Sequence, residues 1–172
     1  GRFNYDFASK YLLEVLFRYD GSYKFPKETR YGFFPAASFG WRISEENFIK
    51  DNAPWINQLK LRASLGQTGN DAVSAYQYLQ SYSFGGNFVF GTGTAAGLNP
   101  GTMPNPNITW EKSTKYDLGL ESLFWNGLLG AEITLFQEHR TDILARRNLS
   151  IPETFGFPSL PDENIGEVKN KG

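Results

Sequence analysis

The chain predicts an all-β fold of antiparallel, up-and-down strands, and three observations carry that reading. Apolar residues recur with period two rather than 3.6 in one segment after another. The composition is led by rings and turn formers, with 15 Phe, 9 Tyr, 4 Trp, 18 Gly and 9 Pro among 172 residues. The connections are short at one end of the strands and long at the other. Together these narrow the fold to a segment of a transmembrane β-barrel, with short periplasmic turns and long extracellular loops. Residues 1–172 read as one partial barrel domain.

The elements follow in order. Arg2–Phe7 is the first strand candidate. From Tyr11 to Asp20, Tyr11, Leu13, Val15, Phe17 and Tyr19 alternate with Leu12, Glu14, Leu16, Arg18 and Asp20. One face is wholly apolar and the other bears three charges. From Phe33 to Ile43, Phe33, Ala37, Phe39, Trp41 and Ile43 alternate with Phe34, Ala36, Ser38, Gly40 and Arg42. Pro35 falls inside this run, which requires an edge, a bulge or a strand start there. Leu59–Gly66, Lys115–Glu121 and Leu129–Phe136 alternate in the same way, and Asn164–Gly172 makes the seventh candidate. A one-residue slip of any strand would put its charges into lipid, at about 2–4 kcal/mol for a Lys or Arg near the midplane.

Two connections are tight, Ala8-Ser9-Lys10 and Trp125-Asn126-Gly127, the latter with an Asn-Gly hairpin signal. Ser44–Gln58 is longer, and its Ser44-Glu45-Glu46-Asn47 start suits the cap of a single helical turn ended by Pro54-Trp55. At the opposite end lie Tyr23–Arg30, Gly69–Ile108 and roughly Ala145–Glu163. A structureless loop of about forty residues argues against a compact soluble domain, but it is ordinary for the extracellular side of a barrel.

Composition excludes several functions. With 17 basic and 18 acidic residues the formal charge is −1, so the chain carries no basic excess to attract nucleic acid or an anionic membrane surface. No cysteine is present, so disulfides, thiolate nucleophiles and zinc–thiolate sites are absent from this sequence. Apolar runs stop at three residues, far short of a membrane-spanning helix. No signal peptide is visible, and the chain starts at Gly1. His139, the lone histidine, reads as a rim or loop residue, since nothing marks a nucleophile for it. Glu45-Glu46 reads as an acidic first helical turn rather than a catalytic pair. Gly91-Thr92-Gly93-Thr94-Ala95-Ala96 matches a loose dinucleotide pattern but lacks a following helix, so it reads as a flexible loop. The two Asn-x-Ser/Thr triplets, at Asn107 and Asn148, read as chance matches. No catalytic residue, metal site or cofactor is expected.

Several segments together carry a family resemblance. Phe17-Arg18-Tyr19-Asp20-Gly21-Ser22 precedes Arg30-Tyr31-Gly32-Phe33-Phe34-Pro35 and Gly40-Trp41-Arg42-Ile43-Ser44-Glu45-Glu46. Leu59-Lys60-Leu61-Arg62-Ala63-Ser64, Gly66-Gln67-Thr68-Gly69-Asn70 and Pro106-Asn107-Ile108-Thr109-Trp110-Glu111 follow. The last motif is Asn164-Ile165-Gly166-Glu167-Val168-Lys169-Asn170-Lys171-Gly172. In order and spacing the chain resembles the SusC/RagA-like TonB-linked outer-membrane transporters of Bacteroidetes. The resemblance implies part of the C-terminal half of a barrel of twenty-two strands, in the cell outer membrane. It implies a nutrient importer for oligosaccharides or peptides, closed by a SusD-like surface lipoprotein and energised by the TonB complex. The plug and remaining strands of the family are expected outside this stretch, because seven strands with two open edges do not close a barrel.

Two sets of residues become candidates on this reading. Glu14, Arg18, Lys60, Arg62, Asp117 and Glu121, with Glu132, face the lumen as ladders against neighbouring strands or the plug. In the long loop, Tyr76, Tyr78, Tyr82, Phe84, Phe88 and Phe90 are candidates for contact with substrate or lid, since rings bring large contact area at low rotamer cost. A soluble β-sandwich carbohydrate-binding module is the competing class. There the apolar faces would pack on a second sheet about 10 Å away. An outer-membrane enzyme barrel would need a nucleophile and base clustered on its wall.

Overall fold

A computed structural model describes residues 1–146, 157 and 159–172. The strands are β1 (Arg2–Phe7), β2 (Tyr11–Gly21), β3 (Tyr31–Arg42), β4 (Ile56–Asn70), β5 (Tyr82–Phe90), β6 (Gly93–Pro100), β7 (Glu111–Phe124), β8 (Leu129–Arg146) and β9 (Asp162–Lys171). Seven of them form one antiparallel sheet in the order β1-β2-β3-β4-β7-β8-β9, the sequence order with β5 and β6 set aside. This is an up-and-down sheet with two open edges. The expected connection from Ala145 to Glu163 lies largely outside the described residues, whereas its flanks, β8 and β9, are in place.

The register keeps the alternation of the sequence intact from strand to strand. Tyr11 pairs with Trp41, Leu13 with Phe39 and Val15 with Ala37. Phe39 then pairs with Ala63, Ala63 with Leu118, and Leu118 with Leu135. Apolar side chains therefore share one face across five strands. That face is exposed: Phe3, Tyr19, Phe33, Leu118 and Ile133 are all open, and no second sheet covers them among the described residues. The only buried apolar side chains described are Phe25, Phe34, Ile108 and Trp110, a cluster at the long-loop end rather than between sheets. A sandwich needs its core against the apolar face, so that alternative fails.

Pro35 sits just past the end of the β3–β4 ladder, which stops at Ala36↔Gly66. Beyond it β3 pairs only with β2, so the missing N–H meets the requirement for a local edge. The short turns are tight. Lys10 N donates to Phe7 O at 3.0 Å, with Ala8 and Ser9 both in the left-handed region at φ 54° and 55°. In the Trp125–Leu128 turn, Trp125, Asn126 and Gly127 all have positive φ.

Two expectations are corrected. The segment after Gly91 is not a flexible loop: Gly91-Thr92 is the turn of a hairpin, β5–β6, inside the long connection. Period-two alternation exists there but is broken by a bulge between Phe84 and Asn87, which hid it from a search for regular strands. The second correction concerns the helical turn. After a 3-10 turn at Ile43–Glu45, the helix α1 runs Asn47–Asn52 with Glu46 at its N-cap, and no side chain caps it. Ser44 is buried inside the preceding turn instead.

Candidate functional site

The outward face is bounded by rings at both ends. At the short-turn end Phe7, Tyr11 and Trp41 stack in succession, with centroids 6.4 and 6.3 Å apart. Trp55 stacks on Trp125 at 5.7 Å and lies beside Phe124. At the long-loop end Tyr19 and Tyr31 stack at 5.3 Å with an interplanar angle of 4°. Rings with an apolar body and a polar edge suit the boundary between hydrocarbon and water.

The slope of this band gives the strand tilt. On β2 the band runs from Tyr11 to Tyr19, and on β8 from Leu129 to Leu135. Followed through paired residues, Leu135 is level with Leu13, six residues short of Tyr19. Leu129 lies four residues beyond Ile133, which is level with Tyr11. Over four strand spacings, roughly 19 Å, the band drops roughly 13–20 Å. The strands thus lean about 35–45° from the normal to the band, the tilt of membrane barrels.

The face opposite the apolar band carries the predicted polar set. Lys60, Arg62 and Glu121 converge, with Arg62 Nε 3.1 Å and Lys60 Nζ 3.6 Å from Glu121. Arg62 Nη2 continues across β7 to Glu132 and Thr134, each at 2.8 Å. Gly119 makes that crossing possible, because a Cβ there would stand 2.5 Å from Arg62 Nε. Asp117 accepts from Ser64 at 3.3 Å. Glu14 pairs with Arg2 of β1 at 2.8 Å, whereas Arg18 turns along its own strand to Asp20. Cross-strand contacts thus engage Glu14, Lys60, Arg62, Asp117 and Glu121, whereas the contact of Arg18 stays within β2.

Below the short turns, Glu46 gathers three elements. Its carboxylate accepts from Lys10 Nζ at 3.0 Å, Tyr11 Oη at 2.8 Å and Trp41 Nε1 at 3.2 Å. These hydrogen bonds, with the Lys10 charge, hold Glu46 below the usual carboxylate range. Glu45 is lowered likewise by its hydrogen bond and ion pair with Lys50.

The long-loop rings do not form one patch. Tyr76 lies beside Tyr78 at 6.3 Å and beside Tyr23 at 6.1 Å, and Tyr76 has φ 62°. Tyr82 and Phe84 pair with Pro100 and Leu98, but after the Gly85-Gly86 bulge Phe88 pairs with Ala95 and packs over Gly97. The extra residue flips the pleat, so Phe88 and Phe90 occupy the face opposite Tyr82 and Phe84.

The sequence pattern missed a second cluster at this end. Phe34 lies on the polar-face register of β3, yet it is buried against Trp110 and over Gly32 and Gly69, whose missing Cβ atoms make room for its ring. Trp110 also touches Phe25 at 5.3 Å and donates Nε1–H to Arg30 O. Asn164 accepts from Thr109 N and donates to Thr109 O and Asp142 O. Out-of-phase Phe34 and the charge-free Pro106–Trp110 run were the available signals. His139 lies 2.7 Å from Glu167, an exposed surface pair. No group of three metal-ligating side chains is found among the described residues.

A family model described as TonB dependent receptor-like, beta-barrel matches residues 1–172. The chain belongs to this family. TonB-dependent receptor P26 of Formosa agariphila is 37% identical over 172 residues, covering 100% of this chain and 17% of that protein. TonB-dependent receptor SusC of Bacteroides thetaiotaomicron is 34% identical over 176 residues, with coverage of 100% and 17%. The solved structure of the RagAB peptide transporter superposes with a TM-score of 0.83 at 29% identity, covering 99% of this chain and 18% of that one. The chain thus spans about one-sixth of the length of these relatives. SusC/RagA-like membership, read from the motifs, and the open barrel wall, read from the alternation, agree with these matches.

Proposed function

We propose that this stretch is the wall and part of the extracellular mouth of a TonB-dependent nutrient importer in the bacterial outer membrane. Its plug and remaining strands would lie elsewhere in the polypeptide. The tilted, ring-bounded apolar band is the observation that carries the reading, since such a face belongs against lipid. The TonB-dependent receptor SusC and the RagAB peptide transporter support TonB-dependent import with peptides as one cargo class, while oligosaccharides as the other class and a SusD-like lipoprotein as lid follow from the resemblance of the motifs. The inward ladder lines the lumen, and no step of this function requires catalysis.

The rings of the long loop contact cargo or lid in this reading. Tyr82 and Phe84 serve one side of the hairpin, and Phe88 and Phe90 the other. Tyr76 and Tyr78 lie near its base. Rings held on a scaffolded loop with Asn, Gln, Ser and Gly between them suit adaptable recognition. The test is growth of a strain carrying the full-length transporter on defined glycans or peptides as sole carbon source. Replacing Tyr82, Phe84, Phe88 and Phe90 with Ser should abolish growth on the cargo while the barrel still reaches the outer membrane. Unchanged uptake by that variant removes the loop from recognition, and growth independent of TonB removes the importer reading.

A further inference from the structure

From Ala72 to Trp110 the chain has no Asp, Glu, Lys, Arg or His, although 20% of the whole is charged. This uncharged stretch is the long loop, and both of its ends meet one small neighbour, the Ser22–Arg30 connection between β2 and β3. At the first end Ser22 Oγ donates to Asp71 Oδ2 at 2.9 Å, and Lys24 Nζ donates to Asp71 O at 2.8 Å. At the second end Thr29 Oγ1 donates to Ile108 O at 2.7 Å, and Trp110 Nε1 donates to Arg30 O at 3.1 Å. Phe25, fully buried, packs on Trp110 between these two ends. The small connection is itself braced by Ser22 N→Arg30 O and Thr29 N→Pro26 O bonds.

Above this base the two arms of the loop are tied to each other by Asn105 N→Gln77 O at 2.9 Å and Gly101 N→Ser81 O at 2.8 Å. Past Ser81 and Gly101, no hydrogen bond among the described residues ties the hairpin to the rest of the chain. Among the described residues, the hydrogen bonds of 82–100 are internal to the hairpin, through the β5–β6 ladder and Asn99 Nδ2→Gly85 O. An element with many solvent-facing bonds and few packed neighbours opens or moves at low cost, while a buried, cross-bonded base does not.

We propose that the Ser22–Arg30 connection is a two-point latch, that Ser22, Lys24, Thr29 and Asp71 are positioning residues for the recognition loop, and that hairpin β5–β6 swings as a unit beyond the Ser81–Gly101 tie. The latch fixes where the hairpin is rooted over the mouth, and it belongs to the fold whatever the cargo proves to be.

Hydrogen exchange on the full-length transporter tests the latch. Thr29→Val removes the hydroxyl without changing the shape, and Asp71→Ala removes the carboxylate that accepts from Ser22 at the opposite end, leaving the backbone acceptor of Lys24 in place. Exchange should rise roughly tenfold in 101–110 for Thr29→Val and in 71–81 for Asp71→Ala. Thr29→Ser should behave as wild type, and exchange within 82–100 and 116–124 should stay unchanged. A rise below twofold in the affected arm, or an equal rise in 116–124, overturns the latch. If one variant fails to insert, the other still decides, since each end is read separately. The swing is read by spin labels at Thr92→Cys and Asn126→Cys, in a stretch with no native cysteine. Their distance distribution should be at least twice as broad as that of a Ser9→Cys and Asn126→Cys pair. Equal widths overturn the swing.

Discussion

Arg62 of β4 reaches over Gly119 of β7 to donate to Glu132 of β8, 2.8 Å away. The register sets Glu121 directly opposite Glu132, a like-charge pair that is unfavourable on its own. Arg62 lies within 4 Å of both carboxylates.

Arg62→Met should therefore destabilise the barrel by about 1 kcal/mol, a modest figure because these side chains are partly exposed. Adding Glu132→Gln should recover part of that loss by removing the exposed repulsion. Gly119→Ala should mimic Arg62→Met, since the new methyl displaces the guanidinium stem. Urea unfolding of the full-length transporter in detergent, read as a double-mutant cycle, measures the coupling. Additive effects would mean that Arg62 does not bridge the two carboxylates.

Asn164 ties β9 to the segment before β7 through three hydrogen bonds. Asn164→Ala should cost about 2–3 kcal/mol. Asn164→Asp should cost more, because its carboxylate keeps the acceptor for Thr109 N but faces the carbonyls of Thr109 and Asp142 with no donor. Thermal unfolding of the two variants gives the order, and the reverse order contradicts the assigned bonds.

Gly69→Ala should force Phe34 out of its place against Trp110, at about 1–3 kcal/mol. Combining it with Phe34→Leu should cost less than the two single changes summed, because the smaller side chain relieves the clash. Tryptophan emission near Trp110 should shift red in Gly69→Ala alone.

The Glu46 clasp predicts an acid-side weakness. Its pKa is lowered on folding, so its stabilisation is complete above the ordinary value of 4.5 and fades as pH falls below that toward the folded value. Glu46→Gln should lower stability at neutral pH and flatten the decline below pH 4.5. Unfolding midpoints measured between about pH 3 and pH 7 check both. Parallel curves for the two proteins would show that Glu46 is not the titrating group.

The Ala8-Ser9 turn holds two non-glycine residues at positive φ. Ala8→Asn with Ser9→Gly supplies the residues this turn type prefers and should stabilise by about 1 kcal/mol. A thermal midpoint unchanged or lowered by the pair would contradict the strain assigned to this turn.

Much of the wall was legible in sequence because lipid on one side and water on the other impose a period of two on every strand. Tyr11–Tyr19 and Leu129–Leu135 announce their faces, and the charges of Lys60, Arg62 and Glu121 fix the register. The motifs around Trp41, Trp110 and Asn164 pointed to the family without explaining themselves. The structure supplies the explanation, since Trp41 donates to Glu46, Trp110 to Arg30 and Asn164 to Thr109 and Asp142. Apart from the local Trp41–Glu46 bond, these contacts join residues far apart in the chain, and none of them leaves a periodic trace.

The sequence by itself determined the strand class, the two faces and the family, because these rest on local alternation and short motifs. Tertiary structure alone decided the hairpin inside the long loop, the splitting of its rings by the Gly85-Gly86 bulge, and the sharing of Arg62 between two carboxylates. One extra residue in a strand inverts every side chain beyond it, and that inversion is visible only in the pairing.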